Sequence, residues 1–284
     1  LHILDHSIPL HSGYTFRTAA LLRGQRELGW ETFHLTSPKQ GSSSTPSEKI
    51  DGLTFHRTES SSSALANYPV FREITLMNQL EQRIEQVAHE VRPDIIHAHS
   101  PVLNVLPAIK VARRLNIPVV YEIRAFWEDA AVDHGTTTEN SIRYRITKAL
   151  ETYAIRKVDH VFTICEGLRA DIVSRGIPSE KVTVIPNAVD IEAFQLAEPP
   201  DTVLQAQLGL IGKTVIGFVG SFYAYEGLDL LLDSFPLILA KEPNARILLV
   251  GGGPQEASLK QKATMLGIQD KVIFTGRVPH REVN

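Results

Sequence analysis

The sequence predicts an α/β protein made of two Rossmann-like domains, the second of them incomplete. Short apolar runs alternate with longer helical stretches from the first residue onward, which is the signature of repeated βαβ units. That rhythm breaks in a segment framed by Pro186, Pro199 and Pro200, and then restarts. The chain has 284 residues, more than one domain usually needs.

Leu1 to Leu4, Thr32 to Leu35, Asp94 to Ala98, Val119 to Ile123 and His160 to Ile164 read as buried strands. Parallel strands covered by helices on both faces are expected to be apolar throughout, as Val119-Val120-Tyr121 is. Helices fill the gaps: Thr15 to Leu28 stops at Gly29, Phe71 to Val91 stops before Arg92-Pro93, and Val102 to Leu115 stops before Asn116-Ile117-Pro118. Gly41 to Pro46 and Glu59 to Ser63 are serine-rich and read as surface loop, with an acceptor-binding role as the alternative, so Leu53 to Arg57 between them has room only for an edge strand or hairpin.

The domain boundary is placed at 190/191, giving a first domain of 1–190 and the first half of a second in 191–284. The second begins with strand Thr214 to Val219, helix Leu228 to Ala240, strand Ala245 to Val250, helix Gln255 to Leu266 and strand Lys271 to Phe274. Three strands make one mononucleotide-binding half, where a full domain carries about five or six. Roughly a hundred further residues are therefore expected.

Composition narrows the function. Hydrophobic residues make up 43% and charged residues 21%, and 29 basic against 32 acidic side chains leave a net charge of −3, so bulk attraction to nucleic acid is not expected. One cysteine, Cys165, excludes an internal disulfide framework and a cysteine-rich zinc site. A reducing compartment is the simpler reading, and the cytoplasm is the expected one. No run reaches the ~20 apolar residues of a membrane span, which leaves only peripheral contact with the inner membrane open.

Glycines follow three strands: His11-Ser12-Gly13-Tyr14, Gly217 to Gly220, and Gly251-Gly252-Gly253-Pro254. Turns without Cβ let backbone N–H groups approach a phosphate beside a helix N-terminus, although tight-turn chemistry alone accounts for such glycines and none matches G-x-G-x-x-G. His97-Ala98-His99 ends a strand where open α/β sheets place ligands. Both imidazoles share a face, with no third metal ligand evident. His97 reads as a structural histidine, and His99 is open between structure and function. Tyr121 to Asp129 gathers Arg124, aromatics and three carboxylates, a set suited to sugar hydroxyls and phosphate or to an ion-paired loop.

Val184-Ile185-Pro186-Asn187-Ala188-Val189-Asp190, followed by Phe194, resembles the V-I-P-N-G-V-D-x-x-x-F segment of retaining glycosyltransferases of family 4. Phe162 to Leu168 resembles that family's V-S-E-x-L run, and Val272-Ile273-Phe274-Thr275-Gly276-Arg277-Val278 its V-x-F-x-G-x-V run. Gly220 to Gly227 is similar to the exosortase-associated, exopolysaccharide-linked branch. The resemblance implies the GT-B fold, an acceptor held by the first domain, a nucleotide sugar held by the second, and transfer with retention to a polysaccharide or lipid-linked glycan. It implies Gly13, Ser221, Gly276, Arg277 and Val278 as donor-binding residues, and Arg124, His99 and Glu226 as catalytic ones. No metal or other cofactor is implied, the nucleotide sugar being a co-substrate.

Three departures mark this chain. Arg124 stands where many members have histidine. Ser221 and Glu226 replace the arginine and lysine of G-R-x-x-x-x-K-G, which puts a carboxylate where a diphosphate needs positive charge. The family's E-x7-E glutamates would lie beyond Asn284. A non-catalytic nucleotide-sugar or glycan-binding module and a sugar-nucleotide epimerase are therefore the alternative expectations.

Overall fold

A computed structural model describes residues 1–10, 12–41, 45–59, 69–189, 191, 200–279 and 282–283. His11, Asp190 and Phe194, singled out above, lie outside the described residues, as do parts of both serine-rich stretches. The chain divides into two compact units, Leu1–Asn187 and Ala188–Asn284.

Unit 1 runs β1 (His2–Leu4), α1 (Gly13–Glu27), β2 (His34–Thr36), β3 (Ser47–Ile50), β4 (Leu53–Arg57), α2 (Pro69–Val91), β5 (Ile96–His99) and α3 (Val102–Leu115). It continues with β6 (Val119–Ile123), α4 (Trp127–Asp133), α5 (Ile142–Lys157), β7 (His160–Thr163), α6 (Glu166–Ser174) and β8 (Val182–Val184). The strands form one sheet in the order β3-β4-β2-β1-β5-β6-β7-β8. Only β3 is antiparallel, joined to β4 as a hairpin. The hairpin expected over Leu53 to Arg57 is thus present, and β3 rather than β4 forms the edge.

Local chemistry sets the helix ends. Ser12 caps α1 by accepting from the Thr15 amide at 3.1 Å, and Gly29 follows it at φ +85, a left-handed stop that costs a glycine nothing. Asn116 ends α3 at φ 54. Helices α4, α5 and α6 add to those named by periodicity.

The expectation of uniformly apolar strands is corrected. Ile3, Leu35, Ile96, Ala98, Tyr121 and Val161 pack in the main core on one face. On the other face His34, His2 and His97 stand in register across β2, β1 and β5, and Glu122 lies beside His99. The reason is α1, which meets that face with Arg17, Thr18 and Gln25 and satisfies the polar groups there.

Unit 2 contains α7 (Thr202–Gln207), β9 (Thr214–Ser221), α8 (Leu228–Lys241), β10 (Ala245–Gly252), α9 (Glu256–Met265) and β11 (Val272–Gly276). Its three strands are parallel, in the order β11-β10-β9. Phe222, Leu232, Phe235, Ile247 and Leu249 fill its core. Among the described residues no helix is long and apolar enough to cross a membrane.

Candidate active site

In unit 1 the polar groups converge at the carboxyl ends of β5 and β6, where a parallel sheet leaves room for a ligand. His99 is the last residue of β5 and is fully buried. Arg124 follows β6, and its guanidinium is held by four bonds. It donates to Glu122 Oε1 at 2.8 Å, Tyr14 O at 2.7 Å, Thr18 Oγ1 at 3.0 Å and His99 Nδ1 at 2.8 Å. It also lies 4.2 Å over the Tyr14 ring. A guanidinium has five N–H groups, so one is left for a ligand, and a bidentate grip on phosphate would require breaking one of these bonds.

These bonds assign the histidine tautomers. Arginine only donates, so His99 Nδ1 accepts and His99 Nε2 carries the proton. That N–H donates to His2 Nδ1 at 3.0 Å, and His2 Nε2 then donates to Gln25 Oε1 at 2.9 Å. Both imidazoles are neutral, because burial pushes their basicity well below the usual histidine range, with His97 adding to the effect. Burial drives the Glu122 carboxyl upward, but the hydrogen bond from His97 and the Arg124 guanidinium outweigh it and hold it well below the usual carboxylate range. His97 Nε2 faces Glu122 Oε2 at 3.3 Å, and its ring stacks on His99 at 4.3 Å.

His2, which sequence inspection passed over, completes a triad with His97 and His99 whose ligand atoms lie within 4.8 Å of one another. The lone pairs of His2 and His99 are engaged in the chain that starts at Arg124. A cation here would have to break that chain beside two guanidinium groups.

Arg17 is the other residue missed, and Glu122, one of the three carboxylates of the Tyr121-to-Asp129 cluster, is its partner. Arg17 donates to Glu122 Oε1 at 2.9 Å, Ile185 O at 2.8 Å, Pro186 O at 2.9 Å and Asn187 Oδ1 at 3.1 Å. The Val184-to-Asn187 motif is therefore fastened to α1 mainly through its own carbonyls. Only the single acidic residue in β6 hinted at this anchor.

The Tyr121-to-Asp129 cluster divides. Phe126 is buried with the Arg175 guanidinium 3.8 Å over its ring, and Glu128 pairs with Arg175 at 2.9 Å. Of the two aromatics expected to face a sugar, only Trp127 is exposed, while Asp129 accepts from Tyr144 Oη at 2.8 Å. Gly13, the first residue of α1, is exposed and has open space where a Cβ would stand.

In unit 2 the remaining candidates lie along one carboxyl edge. Ser221 ends β9 in register with Gly252 of β10, and Gly276, at φ +73, pairs with Val250 from β11. Arg277 is exposed and its Nε lies 3.8 Å from where a Gly252 Cβ would stand, so its side chain passes over β10. Val278 follows, half-buried. Glu226 is exposed in a short 3-10 turn after β9. The Gly251-Gly252-Gly253 turn has a packing reason as well. A Cβ on Gly251 would sit 1.9 Å from Gly220 O, and one on Gly253 would sit 2.7 Å from Phe222 N.

Residues 12–188 match the glycosyl transferase 4-like domain. The chain belongs to that family of glycosyltransferases. Residues 203–284 of this glycosyltransferase match glycosyl transferases group 1. It is similar to the gpi3 subunit of phosphatidylinositol N-acetylglucosaminyltransferase from Schizosaccharomyces pombe, at 27% identity over 232 residues that cover 81% of this chain and 44% of that protein. It is also similar to the α-monoglucosyldiacylglycerol synthase of Streptococcus pneumoniae, at 29% identity over 203 residues, 69% of this chain and 45% of that one. The glycosyltransferase thus spans about half the length of the curated relatives it matches. Anabaena HepE, crystallised with UDP, superposes with a TM-score of 0.68 at 17% identity, covering 99% of this chain and 70% of HepE, which shows the GT-B type of fold.

Proposed function

We propose that the full-length protein transfers a hexosyl group from a nucleotide sugar to a polysaccharide or lipid-linked glycan acceptor, with retention of anomeric configuration. Transfer needs donors for the departing diphosphate. The observation that carries the reading is the carboxyl edge of unit 2, where Ser221, Gly252 and Gly276 stand on adjacent parallel strands and the Arg277 side chain passes over Gly252. HepE holds UDP in a fold of the same type, and the two curated relatives named above are glycosyltransferases that, by name, act on lipids. In unit 1, Arg124 and His99 form a pre-ordered polar centre on the acceptor side, with Gly13 exposed at the start of α1.

The reaction runs in the cytoplasm and without a resident metal. In support, the His2 and His99 lone pairs are already committed to hydrogen bonds. Full-length protein offered a panel of nucleotide sugars with polysaccharide and lipid-linked acceptors should release nucleoside diphosphate only when a matching pair is present. A folded protein that turns over none of them, or that converts a sugar nucleotide without acceptor as an epimerase would, overturns the proposal.

A second reading, a module that binds nucleotide sugar without transferring it, is favoured by the exposed Glu226 where a basic residue would neutralise the diphosphate. Calorimetric binding of nucleoside diphosphate with no turnover in the full-length protein would select it.

A further inference from the structure

Helix α5 turns Glu151, Ala154 and Ile155 inward. Its outer face is also apolar: Ile142, Ile146, Leu150 and Tyr153 are 78%, 55%, 41% and 48% exposed. Steps of four, four and three residues put these side chains in one stripe along the helix. The same helix carries Arg143, Arg145, Lys148, Arg156 and Lys157, and none of the five has an ion-pair partner among the described residues. Several other helix-borne cations are paired: Lys110 and Arg114 pair with Glu81, Arg114 also pairs with Glu85, and Lys262 pairs with Asp233. The sole carboxylate of α5, Glu151, is buried.

We propose that this outer face is a docking surface for an anionic lipid bilayer, with α5 lying along the headgroups and its apolar stripe seated among them. Long basic side chains can hold their charges at the phosphate level while their stems cover the stripe. Charge complementarity selects this occupant. A second copy pairing through the same stripe would set cations against cations. A nucleic acid would leave the aliphatic stripe without an apolar partner.

The proposal stands apart from the transferase reading, since the binding is measured without donor or acceptor. Full-length protein is sedimented with vesicles of phosphatidylcholine mixed with phosphatidylglycerol, and with vesicles of phosphatidylcholine alone. Binding is expected only to the anionic vesicles and should weaken as salt rises. Each cation near such a surface raises binding about fivefold, so the double variant Arg145→Gln/Lys148→Gln should bind about 25-fold more weakly. Ile146→Asp, at an exposed position, should also release the protein while its circular dichroism is retained. Equal binding to both vesicle types, or binding unmoved by both variants, overturns the proposal. So does a dimer in sedimentation velocity that Ile146→Asp dissolves.

Discussion

Arg17 and Arg124 donate to the same oxygen of Glu122, at 2.9 and 2.8 Å. Through that one atom the Ile185-to-Asn187 segment, held by Arg17, is coupled to the imidazole chain that begins at Arg124. Glu122→Gln keeps the shape and removes the charge, leaving two guanidinium groups without their counter-ion at a site that is 1% exposed. Loss of one member of a buried ion pair typically costs ~3–5 kcal/mol. Both tryptophans, Trp30 and Trp127, lie in unit 1, so the unfolding free energy from a urea titration of tryptophan fluorescence should fall by that amount, and the midpoint with it. An unchanged midpoint would mean that the shared oxygen is not a structural hub.

Arg124→Lys tests the same centre by activity. Lysine is a point charge with three donors and cannot reproduce a planar fork with four partners. The His99 tautomer would no longer be fixed. Under the proposed function, kcat should drop at least ~10-fold while donor KM stays near its original value, since losses confined to turnover mark interactions made in the transition state.

Unit 1 carries opposing pH dependences. His2 and His99 are buried neutral, their basicity lowered chiefly by burial, so the unfolded state takes up protons first. Their contribution is present above the unfolded value of about 6.5 and is lost as pH falls below it. Glu151 behaves in the reverse sense. Burial, reinforced by the Glu128 carboxylate and opposed by Tyr121 and Arg175, raises it from 4.5 to about 7. The folded state then holds the proton longer, and stability declines as pH rises from the ordinary carboxylate range toward that value. Glu151→Gln should therefore stabilise unit 1 by ~3 kcal/mol at pH 8 and far less at pH 5. A gain that is the same at both pH values would show that Glu151 does not titrate in this window.

Much of this was legible in the sequence, for reasons that particular residues make clear. Val119 to Ile123 was readable because it is apolar and bounded by turns, and the observed β6 has those same limits. Gly29 and Asn116 marked helix ends because each must adopt a left-handed backbone. Helix α5 was harder to see, since apolar side chains on both its faces erase the amphipathic period. His2 and Arg17 could not have been assigned, because their partners His99 and Glu122 lie 97 and 105 residues away in sequence. Only the register of the sheet brings them together.

Gly251 and Gly217 predict opposite outcomes for one substitution. At Gly251 the φ of +133 and the approach to Gly220 O at 1.9 Å leave no place for a methyl group. Gly251→Ala should destabilise unit 2 by at least ~3 kcal/mol through backbone strain and displacement of β9. Gly217 has ordinary φ and nothing within 4 Å of its Cβ position, so Gly217→Ala should be neutral or mildly stabilising. Hydrogen exchange of the β9 and β10 amides would read both variants. Similar protection in the two would show that the turn can open to admit a side chain.

Glu226 offers the sharpest test of the donor side. It is exposed and stands where the family's G-R-x-x-x-x-K-G pattern has lysine, so under the proposed function it would present a negative charge to the diphosphate. Glu226→Lys changes the local charge by two units with little consequence for folding. At surface dielectric and physiological salt, such a change near a dianion is worth ~1–2 kcal/mol. UDP, the nucleotide bound by HepE, should then bind about tenfold more tightly by calorimetry, with the gain shrinking as salt is raised. Weaker binding would instead assign the carboxylate an attractive task, such as accepting hydrogen bonds from ribose hydroxyls, and would leave Arg277 as the cation that faces the phosphates.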